Sequence, residues 1–152
     1  MKYKCIIYDF DGVMTDNKVL QDENGVESVY VNRSDGLAVS YFKKMEVLQY
    51  IVSTEKNTVV TKRGDKLGIK VLQNISNKLI TVKDIIKDHK LDLDEVIFVG
   101  NDLNDKEVME YLPNTFCPLD SHKKIKEISK EILDCEGGNG VIMALFNSVV
   151  GE

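Results

Sequence analysis

The amino-acid sequence predicts an α/β fold built on a mostly parallel sheet with helices on both faces. Three observations predict it. Short apolar runs alternate with amphipathic segments along the chain. The strand-like runs are continuously apolar rather than alternating, as strands buried on both sides should be. Polar or acidic residues follow one run after another, at the carboxyl ends where such sheets bind ligands.

The elements follow in order. "KCIIYDF" is a short run rich in β-formers. Residues 18–31, "KVLQDENGVESVYV", form two strand-like halves around Glu23-Asn24-Gly25, and Asn-Gly is a strong hairpin signal. "SDGLAVSYFKKM" reads as a helix and "VLQYIVST" as a second buried strand. "NTVVTKRGDKLG" reads as a helix stopped by Gly68, and "IKVLQN" as a third strand. "KLITVKDIIKDHK" places Leu79, Val82, Ile85 and Ile86 on one helical face. "EVIFVGNDLND" is a fourth strand ending in acids, and "TFCPL" a fifth. "SHKKIKEISKEIL" is expected to be a helix behind a Ser121 N-cap, with Ile125, Ile128 and Ile132 in register. After "EGGNG", the segment "VIMALFNSVV" reads as a last apolar helix.

Bulk properties narrow the function. A chain of 152 residues without an evident linker is expected to be one domain over 1–152. The net charge of -5 argues against nucleic-acid and membrane partners, and requires local positive charge if the substrate is anionic. Cys5, Cys117 and Cys135 have no C-x-x-C spacing, which argues against a zinc site or a disulfide framework. The sequence has no apolar run long enough to span a membrane and no signal-peptide pattern, so a cytoplasmic location is expected.

The polar residues after the strands converge. Asp9 and Asp11, two apart, share a side in extended chain and repel, and a divalent cation resolves that repulsion. Mg²⁺ suits oxygen ligands of this kind. Taken alone, "DFDG" also suits a plain turn. Ser53 and Thr54, then Lys78, then Asn101, Asp102 and Asp105 occupy the corresponding ends of later strands.

Together these residues resemble a known family. Asp9-x-Asp11-Gly12-Val13-x-Thr15 is similar to the first motif of the haloacid dehalogenase (HAD) phosphatase superfamily. Ser53, Lys78 and "GNDLND" resemble its second, third and fourth motifs in order. The resemblance implies a Rossmann-like three-layer fold with Asp9 as nucleophile and Asp11 as general acid and base. It also implies that Ser53 and Lys78 hold the transferring phosphoryl group. Mg²⁺ would bind Asp9, Asp11 and a residue of the fourth motif. Many relatives carry an acid where Asn101 stands; Asp102 is expected to take over, with Asn101 as the alternative and Asp105 as an outer partner.

Neither gap between the motifs holds a cap domain, only the hairpin and a helix. Capless relatives include tetrameric phosphatases for 3-deoxy-octulosonate 8-phosphate and for nonulosonate 9-phosphates. "DENGVE" resembles their flap hairpin, which implies a homotetramer whose neighbouring chain helps close the site. "STEKN" followed by Arg63 is similar to the nonulosonate (KDN or N-acetylneuraminate) 9-phosphate branch and to domains fused to acylneuraminate cytidylyltransferases. Thr54, Glu55, Lys56, Asn57 and Arg63 are then the expected substrate contacts. "GGNGV" resembles the family's tail, with Met143-Ala144 where Arg-Glu often follows. The alternatives are octulosonate 8-phosphate as substrate, or a non-catalytic oligomerisation domain. A receiver domain would need an acid after the third strand, and "KVLQN" has none.

Overall fold

Cys5–Tyr8 forms β1 near the middle of a six-stranded sheet, where four consecutive apolar side chains are all buried. The computed structural model describes residues 1–151. Leu20–Gln21 (β2) and Glu27–Ser28 (β3) pair as a separate antiparallel hairpin. Then follow Arg33–Lys44 (α1), Leu48–Val52 (β4), Val59–Leu67 (α2), Lys70–Leu72 (β5) and Lys78–Asp88 (α3). The second half holds Val96–Val99 (β6), Lys106–Tyr111 (α4), Asn114–Cys117 (β7), Lys123–Ile128 (α5), Glu131–Ile132 (β8) and Val141–Val150 (α6). The sheet order is β5-β4-β1-β6-β7-β8, with every pair parallel. No described helix is long and apolar enough to cross a membrane.

The continuous apolar pattern has the expected cause. Ile6 and Tyr8 face one layer with Phe42, Leu145 and Ile142, from α1 and α6. Cys5 and Ile7 face the other with Val82, Ile86 and Val108, from α3 and α4. Tyr8 stays buried because its hydroxyl donates to Gln49 Oε1 at 2.9 Å, and Gln49 in turn donates to the Val39 carbonyl. The hairpin turn is closed by Asp22, whose Oδ1 accepts from Asn24 N and Val26 N. Around it Val19, Leu20, Val26 and Tyr30 stand largely exposed.

Two expectations need correction. The helix expected over "SHKKIKEISKEIL" stops at Ile128 and is capped by His122, whose Nδ1 accepts from Lys124 N, rather than by Ser121. The open edge of β7 captures the rest of that segment. Lys130 N donates to Thr115 Oγ1, Lys130 Nζ donates to Asn114 Oδ1 at 2.7 Å, and Glu131–Ile132 becomes a sixth strand. Ile132 is exposed as a result. Helix α4 had no counterpart in the sequence reading.

Asp35, in the first turn of α1, ties that helix to the start of α6. It is 1% exposed, its Oδ1 accepts from Ile142 N at the start of α6 at 3.0 Å, and its Oδ2 has no partner. Burial pushes its carboxyl up to about 6, against the pull of the Ile142 and Met143 amides and Arg63. The folded protein therefore keeps this proton longer than the unfolded chain does. Stability is complete below the unfolded value of about 4 and falls as pH rises towards neutrality, by up to about 3 kcal/mol. Asp35→Asn keeps an oxygen for the α6 amides and removes the charge. It is expected to gain stability over the wild type progressively between about pH 4 and pH 7 in denaturant unfolding; a pH-independent difference would refute this account.

Candidate active site

The parallel register brings the loops of three strands to one edge of the sheet. Asp9 follows β1, and its N–H donates to the Val99 carbonyl at 2.9 Å, which fixes the start of the loop beside β6. Ser53 follows β4 and is anchored by its own N–H to the Leu72 carbonyl at 2.9 Å. Lys78 opens α3, whose N-cap Asn77 accepts from Ile80 N at 3.1 Å. Val82 and Ile86, on the same helix, lock it against the sheet.

These placements make a buried charge cluster. Lys78 Nζ lies 2.8 Å from Asp9 Oδ1 and 2.8 Å from Asp105 Oδ1. Asp9 and Lys78 are each 4% exposed and Asp105 is 0% exposed. Asp9 Oδ1 also accepts from Phe10 N at 2.8 Å, while Asp105 Oδ2 accepts from Asn101 N and Asp102 N at 2.9 and 3.3 Å. Burial pulls the Lys78 ammonium down, but the two carboxylates more than reverse this and leave it raised. Burial pushes Asp9 up and Asp105 adds to it, with Lys78 opposing. Asp11 is also pushed up, by burial first, then by Glu55 and Glu27 against Lys78.

Asn101 completes the cluster. Its carboxamide lies 2.9 Å from both Asp9 Oδ2 and the Asp11 carbonyl oxygen. With its nitrogen inward it donates to both; with its oxygen inward, three oxygens face one another, an arrangement a hard cation relieves. Gly12, with φ +82, permits this approach, because a Cβ there would come within 1.9 Å of the Asn101 amide nitrogen. Among the described residues no three His, Cys, Asp or Glu side chains are gathered as a metal cluster. The donor set here is mixed: carboxylate, backbone carbonyl and amide. It fits Mg²⁺ in chemistry and in charge, since two buried carboxylates share a single ammonium.

Asn101, and not the expected Asp102, stands beside Asp9 and the Asp11 carbonyl. Asp102 is exposed, and its Oδ1 accepts from its own neighbour Leu103 N at 2.7 Å as a cap of the turn Leu103–Asp105. Asp105 lies behind Asn101, in contact with Lys78 and the loop amides. Ser53 is buried, with its Oγ accepting from Glu55 N at 3.1 Å. Glu55 Oε1 accepts from Lys56 N and Asn57 N, so this carboxylate shapes its own loop. Asn57 Nδ2 donates to Glu27 of the hairpin at 3.3 Å. Thr54 lines a cavity of about 250 Å³ with Ser76, Asn77 and Lys78, and Asn104 lies 3.5 Å from its hydroxyl.

Asp11 opens on a separate cavity of about 200 Å³, with Asn17, Lys18, Glu27 and Glu55 around it. Lys56 is exposed at the loop edge. Arg63 is not brought to the acids: it donates to the Asn32 carbonyl at 3.1 Å and lines a third cavity with Arg33, Lys43 and Lys66. Glu27, beside Asp11, is not predicted from the sequence, since an isolated acid in a hairpin carries no pattern.

Comparison with known proteins fits this geometry. The pattern described as haloacid dehalogenase-like hydrolase matches residues 16–145, starting just past the Asp9–Thr15 loop. The 3-deoxy-D-manno-octulosonate 8-phosphate phosphatase KdsC of Escherichia coli K12 is 29% identical over 140 residues, covering 91% of this chain and 74% of that protein. N-acylneuraminate cytidylyltransferase A of Danio rerio is 23% identical over 141 residues, 91% of this chain but 33% of that protein. The fold is shared with 3-deoxy-D-manno-octulosonate 8-phosphate phosphatase from Moraxella catarrhalis, solved with magnesium ion, phosphate ion and KDO. The TM-score is 0.93 at 21% identity, over 98% of this chain and 86% of that one.

Removing the shared ammonium should expose the strain in this cluster. Lys78→Met leaves Asp9 and Asp105 buried without a counter-charge, and in EDTA is expected to lose about 3–5 kcal/mol of stability at neutral pH. Adding Asp105→Asn should return part of that loss. A loss below about 1 kcal/mol, the range of exposed ion pairs, would contradict the buried arrangement.

Proposed function

The chain belongs to the haloacid dehalogenase-like hydrolases and is a phosphatase of that family, and from this premise we propose that it hydrolyses the terminal phosphate of a 2-keto-3-deoxy sugar acid with Mg²⁺ bound. The observation that carries the reading is Asp9, held by Lys78, with the Asn101 amide facing both its carboxylate and the Asp11 carbonyl. Asp9, the Asp11 carbonyl and Asn101 would hold the cation. When bound, Mg²⁺ offsets the charge of the phosphoryl group and keeps Asp9 ionised against its burial.

The chain's own groups account for the two steps. An Asp9 carboxylate oxygen attacks phosphorus, the bond to the sugar oxygen breaks, and Asp11 gives its proton to that leaving oxygen. The raised proton affinity of Asp11 suits this role. Asp11, now ionised, takes a proton from water; the water oxygen attacks phosphorus, the aspartyl-phosphate bond breaks, and orthophosphate leaves. Lys78 holds positive charge beside the transferring group, and Ser53 offers a hydroxyl to it.

For the substrate, "STEKN" favours a nonulosonate 9-phosphate, and the cytidylyltransferase relative supports that reading. The octulosonate 8-phosphate ester is the second reading, favoured by the Escherichia coli relative. Retention of Asp9, Asp11, Ser53 and Lys78 speaks against a non-catalytic oligomerisation domain. The exposed Val19, Leu20, Val26 and Tyr30 of the hairpin support a homotetramer, in which a neighbouring chain covers that apolar surface.

Phosphate release should be measured with octulosonate 8-phosphate, KDN and N-acetylneuraminate 9-phosphates, and hexose phosphates. EDTA is expected to abolish release, and Asp9→Asn to reduce it by about a thousandfold or more. Activity surviving either change would refute the mechanism; preference for the octulosonate ester would overturn only the substrate. Light scattering is expected to give four times the mass of the chain, and a monomer would refute the assembly.

A further inference from the structure

The glycine-rich segment between β8 and α6 lies against the far side of the catalytic loop. Gly137 touches the Gly12 carbonyl so closely that a Cβ would stand 2.2 Å from that oxygen and 3.1 Å from the Thr15 carbonyl. Gly138, with φ +75, donates its N–H to the Val13 carbonyl at 3.0 Å, and a Cβ there would stand 2.5 Å from Asp16 N. The segment is itself pinned at both ends. Asp120 Oδ1 accepts from Gly137 N at 2.8 Å, and Asp35 Oδ1 accepts from Ile142 N beyond it. Gly12 is therefore held between Gly137 on one side and the Asn101 amide on the other. The peptide linking Asp11 to Gly12 carries the carbonyl oxygen that faces Asn101.

We propose that Gly137 and Gly138 are positioning residues for the divalent cation, holding the Asp11–Gly12 peptide so that the Asp11 carbonyl oxygen stays beside Asn101 and Asp9. The inference rests on the metal reading given above. A hard cation is selective for where its oxygens stand, so a small rotation of this peptide withdraws a ligand without removing a side chain. Neither glycine touches substrate or cation. Their effect passes through the backbone they press upon, as with partners placed behind metal ligands.

The test is calorimetric titration of the metal-free full chain with Mg²⁺ alone, beside its circular dichroism and turnover. Gly138→Ala is expected to weaken Mg²⁺ binding about tenfold or more, with turnover recovered at saturating Mg²⁺. Gly151→Ala is the control: φ is +84 there as well, but nothing lies within 4 Å, so Mg²⁺ affinity should match the wild type. Asp120→Ala adds no atoms and removes only the bond to Gly137 N; it should weaken Mg²⁺ by about fivefold, the weight of one hydrogen bond. It decides the question if Gly138→Ala fails to fold. Wild-type Mg²⁺ affinity in Asp120→Ala or in folded Gly138→Ala overturns the inference, as does equal weakening by Gly151→Ala. A wild type that binds no Mg²⁺ overturns the metal reading and this inference with it.

Discussion

One ammonium group, shared by two carboxylates away from water, is the constraint on which the rest of the site depends. Either carboxylate without Lys78 would be a buried unpaired charge, costing several kcal/mol. No cap or turn nearby contributes as much, since an N-cap is worth about 0.5–2 kcal/mol. The position of α3 is therefore set from both ends: by Val82, Ile85 and Ile86 against the sheet, and by Lys78 reaching into the charges. Asp105 passes this order on. Its second oxygen collects the amides of Asn101 and Asp102, which turns the Asn101 side chain toward Asp9.

The parallel sheet explains why such a cluster assembles at all. Residues at the ends of β1, β4 and β6 are far apart in sequence and adjacent in register: Tyr8 pairs with both Ile51 and Val99. One residue further on, the three loops diverge from a common origin with backbone already bonded. The two helical layers hold these loops from opposite faces, so that Lys78 comes from one layer and the Asp35–Ile142 link from the other.

Much of this was legible in the sequence, and the reasons are specific. Cys5–Tyr8 and Val96–Val99 carry uninterrupted apolar runs, as strands buried on both faces do. The acids that follow both runs interrupt apolar sequence where a buried strand ends, which is why they marked the site. Illegible features depend on contacts between distant segments. Nothing local in "SKEIL" says that the edge of β7 will take Glu131 and Ile132 from a helix. That Asn101 rather than Asp102 stands beside Asp9 turns on which side chain the loop held by Asp105 leaves facing inward, although ligand strength alone pointed to the acid. Arg63 was assigned by its neighbours in sequence, whereas its helix turns it toward Asn32.

The contacts of Gly138 with Val13 and of Ile142 with Asp35 have a consequence for how the protein comes into being. Strand β1 is synthesised well before the segment that presses on the loop after Asp9. Until that late segment emerges, β1 can pair and the core can begin to form, but the loop after Asp9 has nothing behind it. Such long-range closure slows folding relative to local contacts. It also means that the loop carrying Asp9 and Asp11 gains its backing only once the segment around Gly138 has been made.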